Sequence, residues 1–271
     1  MNPRVRYHKR KPVDPRLSQK KRVVIVAAGF IAGAVAIAGV LLVVYQALGR
    51  SDFFQITAIR IEGCQKTSKS QVLEYSGVDI HTNLLVLDVD EIRTKVESGQ
   101  WIMRAEVRKQ WPNRLEISVK EYAPVAMVAI DTKLFYVDRD GKAFAEALPP
   151  EEMDYPVITG LSGLEGDGAA ENAKTLKYAL GFISYASLGN LNLPVQNISE
   201  INVSNQNDLV LFLVDRPFPI RIGAVGEALK IKYSRLARVL SWLYRHKKFG
   251  TTEYIDMASA AEQILVGQDM L

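Results

Sequence analysis

Hydrophobic positions along this chain follow three successive rhythms. Residues 23–48 are an unbroken uncharged run. As a helix that run measures about 39 Å, enough to cross a hydrocarbon core of about 30 Å with some tilt. From residue 54 the pattern changes to short alternating bursts separated by turn residues. In 54–62, Ile59 and Ile61 share one face while Arg60 and Glu62 share the other, which predicts a strand ended by Gly63. Ser68 with Gln71 opens a helix closed by Gly77, and Asp88 with Glu91 as a capping-box pair opens a second, with Ile92 and Val96 inward and Gly99 as its stop. Residues 102–109 and 115–121 are strands about a turn at Trp111-Pro112-Asn113-Arg114. In the second of them Leu115, Ile117 and Val119 face the core. The order is β-α-α-β-β over about 70 residues, with two helices to cover one sheet face.

Beyond Ala123 strands mix with two longer helices. Strands are predicted at 124–130, 134–137, 197–203, 209–214, 220–222, 252–257 and 260–266. Asp138-Arg139-Asp140-Gly141 reads as a hairpin turn, since it holds only a fragment of a calcium-loop pattern. Pro149-Pro150 and residues 161–168 read as loops. Residues 169–188 form a helix with Leu176, Leu180 and Ile183 inward. The second helix, 227–249, buries Leu229, Tyr233, Leu236, Leu240 and Leu243. Its lysines and arginines, Lys232 among them, read as a solvated face. Tyr254 and Ile255 are expected together in the core. The fold class is α+β: one transmembrane helix, a β-α-α-β-β unit, then a mixed sheet with two helices.

Charge sharpens the first segment. Nine Lys or Arg stand against Asp14 in the first 22 residues, a surplus of +8 in a chain of net charge +4, so residues 23–271 carry −4. Cationic flanks stay on the cytoplasmic side, which puts the N-terminus inside and the folded mass outside. Ala34-Val35-Ala36 and Ala36-Ile37-Ala38 have the small-x-small form of a signal-peptidase site. A signal h-region spans only about 7–15 residues, however, and here apolar sequence continues through Val44, so the segment reads as an uncleaved anchor. The acidic exported part excludes nucleic acid as a partner. A single cysteine, Cys64, permits no internal disulfide, and the three histidines lack metal-ligand spacing, so no cofactor or metal is expected. No nucleophile elbow, S-x-x-K, H-E-x-x-H or phosphate loop is present, which favours an interaction protein without a small-molecule substrate over an enzyme.

Six stretches carry a family resemblance. Residues 54–63 resemble the opening strand of a POTRA domain, and Asn83-Leu84-Leu85-Val86-Leu87-Asp88 resembles the stretch that follows its first helix. Residues 101–117, with Ala105, Val107, Lys109, Trp111-Pro112, Leu115 and Ile117, continue into Glu121, Pro124 and Ala126 in that domain's pattern. Val137-Asp138, Gly141 and Phe144, Pro156-Val157-Ile158-Thr159-Gly160 and Tyr254-Ile255-Asp256-Met257 are similar to the C-terminal domain of the bacterial FtsQ/DivIB cell-division family. The resemblance covers nearly the whole chain and implies this division: 1–22 cytoplasmic tail, 23–48 transmembrane helix, 52–122 POTRA domain, 123–266 FtsQ-type β-domain, 267–271 C-terminal tail.

The resemblance implies a non-catalytic divisome scaffold at the septum of the bacterial inner membrane. It would bind FtsB-like and FtsL-like bitopic proteins, with FtsK, FtsW and FtsI as further partners, and link early division proteins to septal peptidoglycan synthesis. Partner-binding residues implied at the C-terminal edge, where FtsB adds a strand in relatives, are Tyr254, Asp256, Ala258, Ser259, Ala261, Gln263 and Leu265. The implied recruitment surface is Arg108, Trp111, Pro112, Arg114 and Glu121, with Trp111 and Pro112 also readable as a hairpin anchor. Ala224, Ala258 and Ser259 depart from the family pattern. Competing readings are another POTRA-bearing envelope assembly protein and a membrane-anchored cell-wall enzyme.

A reporter active only outside the cytoplasm, fused after Leu271, should be active, and the mature protein should keep its Met1 region. Recovery of a soluble form beginning near Gly39 would overturn this topology.

Overall fold

The computed structural model describes residues 15–49, 52–148, 154–161, 169–203, 208–224, 228–258 and 264–268. The basic tail through Asp14, Pro149-Pro150, residues 162–168 and Glu227 lie outside the described residues. Helix α1, Pro15–Gly49, contains a 23-residue window, Val24–Gln46, of mean hydropathy 2.6 that is exposed along its length among the described residues. It is long and apolar enough to span a membrane.

A three-stranded unit follows. Strand β1 (Ala58–Glu62), helices α2 (Lys69–Ser76) and α3 (Val89–Glu97), and strands β2 (Ile102–Gln110) and β3 (Arg114–Glu121) form a sheet of order β1-β3-β2. Strand β3 pairs parallel with β1 and antiparallel with β2. Ile56, Val72, Leu84, Val96, Leu115 and Ile117 are buried to about 4% exposure or less beneath the two helices. The helix starts follow their sequence signals. Ser68 forms a capping box with Gln71, and Gly77 closes α2 at φ 63°, a left-handed conformation that glycine adopts freely. Asp88 caps α3 through Asp90 and Glu91 N–H, but the carboxylate of Glu91 turns to Lys95 at 2.7 Å and does not complete a box.

Strand β1 is shorter than the alternation predicts. Asp52–Phe54 is a 3-10 turn, and the backbone of Phe54 and Ile56 pairs with Leu84 and Thr82. A neighbouring loop thus takes the hydrogen bonds that would have extended the strand.

Nine strands form the second sheet: β4 (Ala126–Ile130), β5 (Lys133–Val137), β6 (Ala143–Glu146), β7 (Val157–Thr159), β8 (Ile198–Val203), β9 (Asp208–Leu213), β10 (Ile220–Ala224), β11 (Thr252–Asp256) and β12 (Leu265–Gln268), in the order β12-β11-β10-β9-β8-β7-β4-β5-β6. Helix α4 (Ala169–Ala186) joins β7 to its parallel neighbour β8, and α5 (Leu229–Arg245) joins β10 to its parallel neighbour β11. All four strands run the same way, because two antiparallel steps separate β8 from β10. Two crossovers of one hand, stepping in one direction from strands of one polarity, place both helices on the same face. The burial agrees: Leu176, Phe182 and Ile183 of α4 and Tyr233, Leu236, Leu240 and Leu243 of α5 share one core with inward residues of the sheet. The Asp138 carboxylate accepts from the N–H groups of Asp140 and Lys142 and is used up in building its turn.

Helix α5 ends at Arg245, earlier than the periodicity predicts, as Lys247 takes φ 57° and turns the chain toward β11. Its lysines are also not uniformly solvated. Lys232 Nζ donates to Ile222 O at 2.8 Å, tying the helix to β10, and desolvation pulls its pKa down although Asp208 acts against it.

Among the described residues, the opposite sheet face is covered at the β4–β6 end. Met127, Tyr136, Ala145 and Ala147 form a small cluster with Trp101, Phe144 and Tyr155. Trp101 stands immediately before β2, with its ring 5.1 Å from Tyr136 and 5.3 Å from Phe144. Tyr122, immediately after β3, stacks on Phe144 at 4.7 Å and bonds Lys142. An aromatic joint thus ties the three-stranded unit to the β4–β6 end of the large sheet.

Two tests follow from this packing. Ile117→Asp places an unpaired charge at a fully buried position and should destabilise the three-stranded unit by about 4 kcal/mol or more, measured by denaturant unfolding. The second concerns Glu121, whose carboxylate accepts from Lys66 N–H at 2.7 Å and Thr67 N–H at 2.8 Å. Partial burial pushes its pKa up, but hydrogen bonds from the Lys66, Thr67 and Gln65 backbone outweigh it and the net shift is downward. A depressed folded-state pKa gives stability that is complete above the ordinary glutamate value of about 4.3 and is lost as pH falls through the lower folded value. Glu121→Gln should therefore cost about 1 kcal/mol at pH 7, with the difference from the parent shrinking below about pH 4 in acid-unfolding curves.

Candidate partner-binding surfaces

An open sheet leaves unpaired backbone at its two edges, and strand order determines where. In the large sheet these are β6 and β12. Among the described residues strand β12 pairs only with β11, antiparallel, with Asp256 opposite Leu265, Ile255 opposite Val266 and Tyr254 opposite Gly267. The open edge among the described residues is therefore Leu265–Gln268; of the 260–266 strand that the sequence pattern predicts, residues 260–263 lie outside the described residues, Ile264 precedes the strand, and Gly267 belongs to it, not to a tail. The pairing also orients its backbone. Ile255 and Met257 donate toward β10, to Pro219 O and Arg221 O. Tyr254 and Asp256 consequently face β12, making Tyr254–Gly267 and Asp256–Leu265 the hydrogen-bonded pairs. By alternation, the N–H group of Val266 points away from the sheet, while a register shift beyond Tyr254 sets Gln268 opposite Thr252.

Tyr254 is not in the core with Ile255. Successive strand residues point to opposite faces, so Ile255 is fully buried while Tyr254 is 45% exposed. The ring of Tyr254 lies across Gly267: a Cβ there would stand 2.1 Å from its Cε1. A small residue opposite a large ring keeps this short edge strand seated against β11. Asp256 is engaged within the sheet. Arg221 on β10 reaches both Asp256 on β11 (3.7 Å) and Asp208 on β9 (3.9 Å), and Asp256 also accepts from Ala258 N–H at 2.8 Å. Ala258 packs beside Gly223, where φ is +79° and an added Cβ would lie 2.7 Å from Ala258 Cα. The structure thus brings Tyr254, Asp256, Ala258 and Leu265 to one margin of the sheet. Ser259, Ala261 and Gln263 lie outside the described residues.

Beside that margin, on the helix-covered face, Arg235, Arg238, Val239 and Trp242 of α5 form with Ile264 a shallow groove of about 390 Å³. Trp242 is 47% exposed, with His246 stacked at 4.5 Å and Lys248 Nζ 5.6 Å from its ring. Sequence reading missed this groove because Trp242 and Ile264 come together only through the α5–β11–β12 fold. The charged i, i+3 spacing of Arg235 and Arg238 was the one local signal.

The five N-terminal candidates do not form one patch. Arg108 is exposed on β2 and ion-paired to Glu106 at 2.6 Å. Glu121 is turned into the β1–α2 loop as described, so it acts in holding the unit together. Trp111, Pro112 and Arg114 sit at the β2–β3 hairpin end, where the Trp111-Pro112 peptide is cis and Trp111 meets Phe54 edge-on at 6.0 Å. Strand β2 is an outer strand of its sheet, and Glu97 at the end of α3 accepts from Ala105 N–H at 2.9 Å, occupying one donor of that edge.

Comparison with known proteins agrees with both halves of this architecture. The family model described as POTRA domain, FtsQ-type, matches residues 54–122, and that described as cell division protein FtsQ/DivIB, C-terminal, matches residues 126–258. Cell division protein FtsQ of Geotalea daltonii is 27% identical over 250 residues, covering 91% of this chain and 87% of the relative. That of Syntrophotalea carbinolica is 27% identical over 227 residues (83% and 77%), and that of an Anaeromyxobacter species is 34% identical over 195 residues (72% and 65%). With the two models falling in series on the two sheets, and relatives whose matches span both, the chain belongs to the FtsQ/DivIB family of cell division proteins.

Proposed function

We propose that this protein is a non-catalytic scaffold of the bacterial division machinery, held in the inner membrane by α1 with its N-terminus in the cytoplasm and both sheets outside. Strand β12 receives a strand from an FtsB-like bitopic partner accompanied by an FtsL-like one. The POTRA unit localises the assembly to the septum through a surface that includes Arg108, where FtsK is a candidate partner. The complex passes recruitment on toward FtsW and FtsI and septal peptidoglycan synthesis.

The single observation that carries this reading is the terminal position of β12. Its outward backbone donors and acceptors have no neighbouring strand among the described residues, and a partner strand added there gains a ladder of main-chain hydrogen bonds. Exposed Leu265 supplies an apolar contact, and the basic groove on α5 beside it supports electrostatic steering of an incoming acidic segment.

Val266→Pro removes an outward N–H and sets a ring against the incoming strand while leaving the bonded pairs at Leu265 and Gly267 in place. With circular dichroism unchanged, it should weaken binding of an FtsB-like periplasmic segment at least about tenfold, whereas Val266→Ala stays close to the parent. A folded Val266→Pro variant that binds as tightly as the parent would rule out strand addition at this edge.

A further inference from the structure

We propose that the membrane-proximal end of the POTRA unit is a lipid-docking face, with Phe53, Ile80, Val86 and Trp111 resting in the interfacial layer of the bilayer that α1 crosses. The proposal builds on the anchoring reading above.

Four large apolar side chains that the core does not use are gathered on segments meeting at this end. Phe53 is 65% exposed, Ile80 52%, Val86 56% and Trp111 57%. Their backbones are tied together. Phe54 O accepts from Leu84 N–H at 2.8 Å, Ile56 N–H donates to Thr82 O at 3.0 Å, and Thr57 N–H donates to Asn113 O in the hairpin turn at 2.9 Å. Side chains complete the joint: Phe53 meets Phe54 at 5.1 Å, Phe54 meets Trp111 at 6.0 Å, and Lys109 Nζ stands 5.9 Å from the Trp111 ring and donates to Leu85 O at 3.4 Å. The chain entry, the 79–86 loop and the β2–β3 hairpin thus form one held surface. On a soluble domain such a cluster marks an interaction site.

Chain length identifies the occupant. The apolar window ends at Gln46, α1 ends at Gly49, and Phe53 is four residues further on. Helical rise and full extension together allow at most about 19 Å between the end of the window and Phe53. The polar interface itself is about 5–8 Å deep. The face that carries Phe53 is therefore kept beside the bilayer. Tryptophan and phenylalanine with a flanking lysine are the side chains that favour that layer, the ring in the acyl boundary and the ammonium among headgroups. Asp52 and Asp79 offset Lys109 and Arg114 at this end, so the attachment is aromatic and does not require anionic lipid. The hairpin tip then belongs to lipid, while Arg108, further along β2, stays available to protein.

The test uses the full-length chain in phosphatidylcholine nanodiscs, with Trp111 emission taken as the difference between the parent and Trp111→Phe. That component should fall at least twofold with headgroup-proximal nitroxide lipid, independently of protein-to-lipid ratio and in high salt. Val86→Trp, an exposed position on a separate segment, should add a second lipid-quenched component, so the result does not hang on one variant. Trp111 emission untouched by nitroxide lipid but quenched by aqueous acrylamide as a free indole is would overturn the docking face. Protection that grows with protein density would overturn it in favour of a second copy of the chain, and protection that arises only when an FtsB-like segment is added would overturn it in favour of that partner. A chain that fails to co-float with lipid would sink the anchoring reading and this one with it. A co-floating chain with an aqueous Trp111 would sink this one alone.

Discussion

The handedness of two crossover connections governs the rest of the C-terminal region. Strands β7 and β10 run in the same direction, and each is followed by a helix that returns the chain to a parallel neighbour on the same side. Both helices must then lie on one face, and their apolar stripes fuse with the inward residues of the sheet into a single core. Among the described residues the other face carries no helix. It is occupied at the β4–β6 end by the aromatic joint to the POTRA unit, and toward β9–β11 it carries the Arg221, Asp208 and Asp256 charges. The same connection places α5 directly beside the last two strands, so that an open edge and a basic groove share one margin.

Local signals in the chain were enough to order the POTRA unit. Ser68, Gly77 and Asp88 mark helix ends by chemistry that acts within a few residues, and Leu115, Ile117 and Val119 alternate as only a half-buried strand requires. The readings that failed depend on partners distant in sequence. The first half of the predicted opening strand was lost to hydrogen bonds with residues 82–84. Glu91 found Lys95, and Lys232 found a carbonyl on β10.

The candidate edge was only partly legible. Tyr254, Asp256, Ala258 and Leu265 do gather at the sheet margin, yet the strand that forms the edge runs on past Val266, through Gln268, beyond the end that hydrophobicity indicates. Its position is set by the pairing of Tyr254 with Gly267, and a glycine carries no periodic signal of its own. The junction between the sheets was invisible for the same reason. Trp101, Tyr122, Tyr136 and Phe144 come from separate segments, and aromatic residues near strand ends read as ordinary core until the fold brings their rings together.

Sheet width has a consequence of its own. Eight strand intervals separate β6, beside the POTRA joint, from β12, and at about 4.8 Å each they amount to about 38 Å along the sheet. Ligands of ordinary size seated at the two ends would not touch, so occupancy of one leaves the other sterically independent. A single chain engaging both would need about 11 extended residues, or about 25 helical ones, merely to reach across. The breadth of the sheet thus sets the POTRA joint and the β12 margin far enough apart that crowding at one does not reach the other.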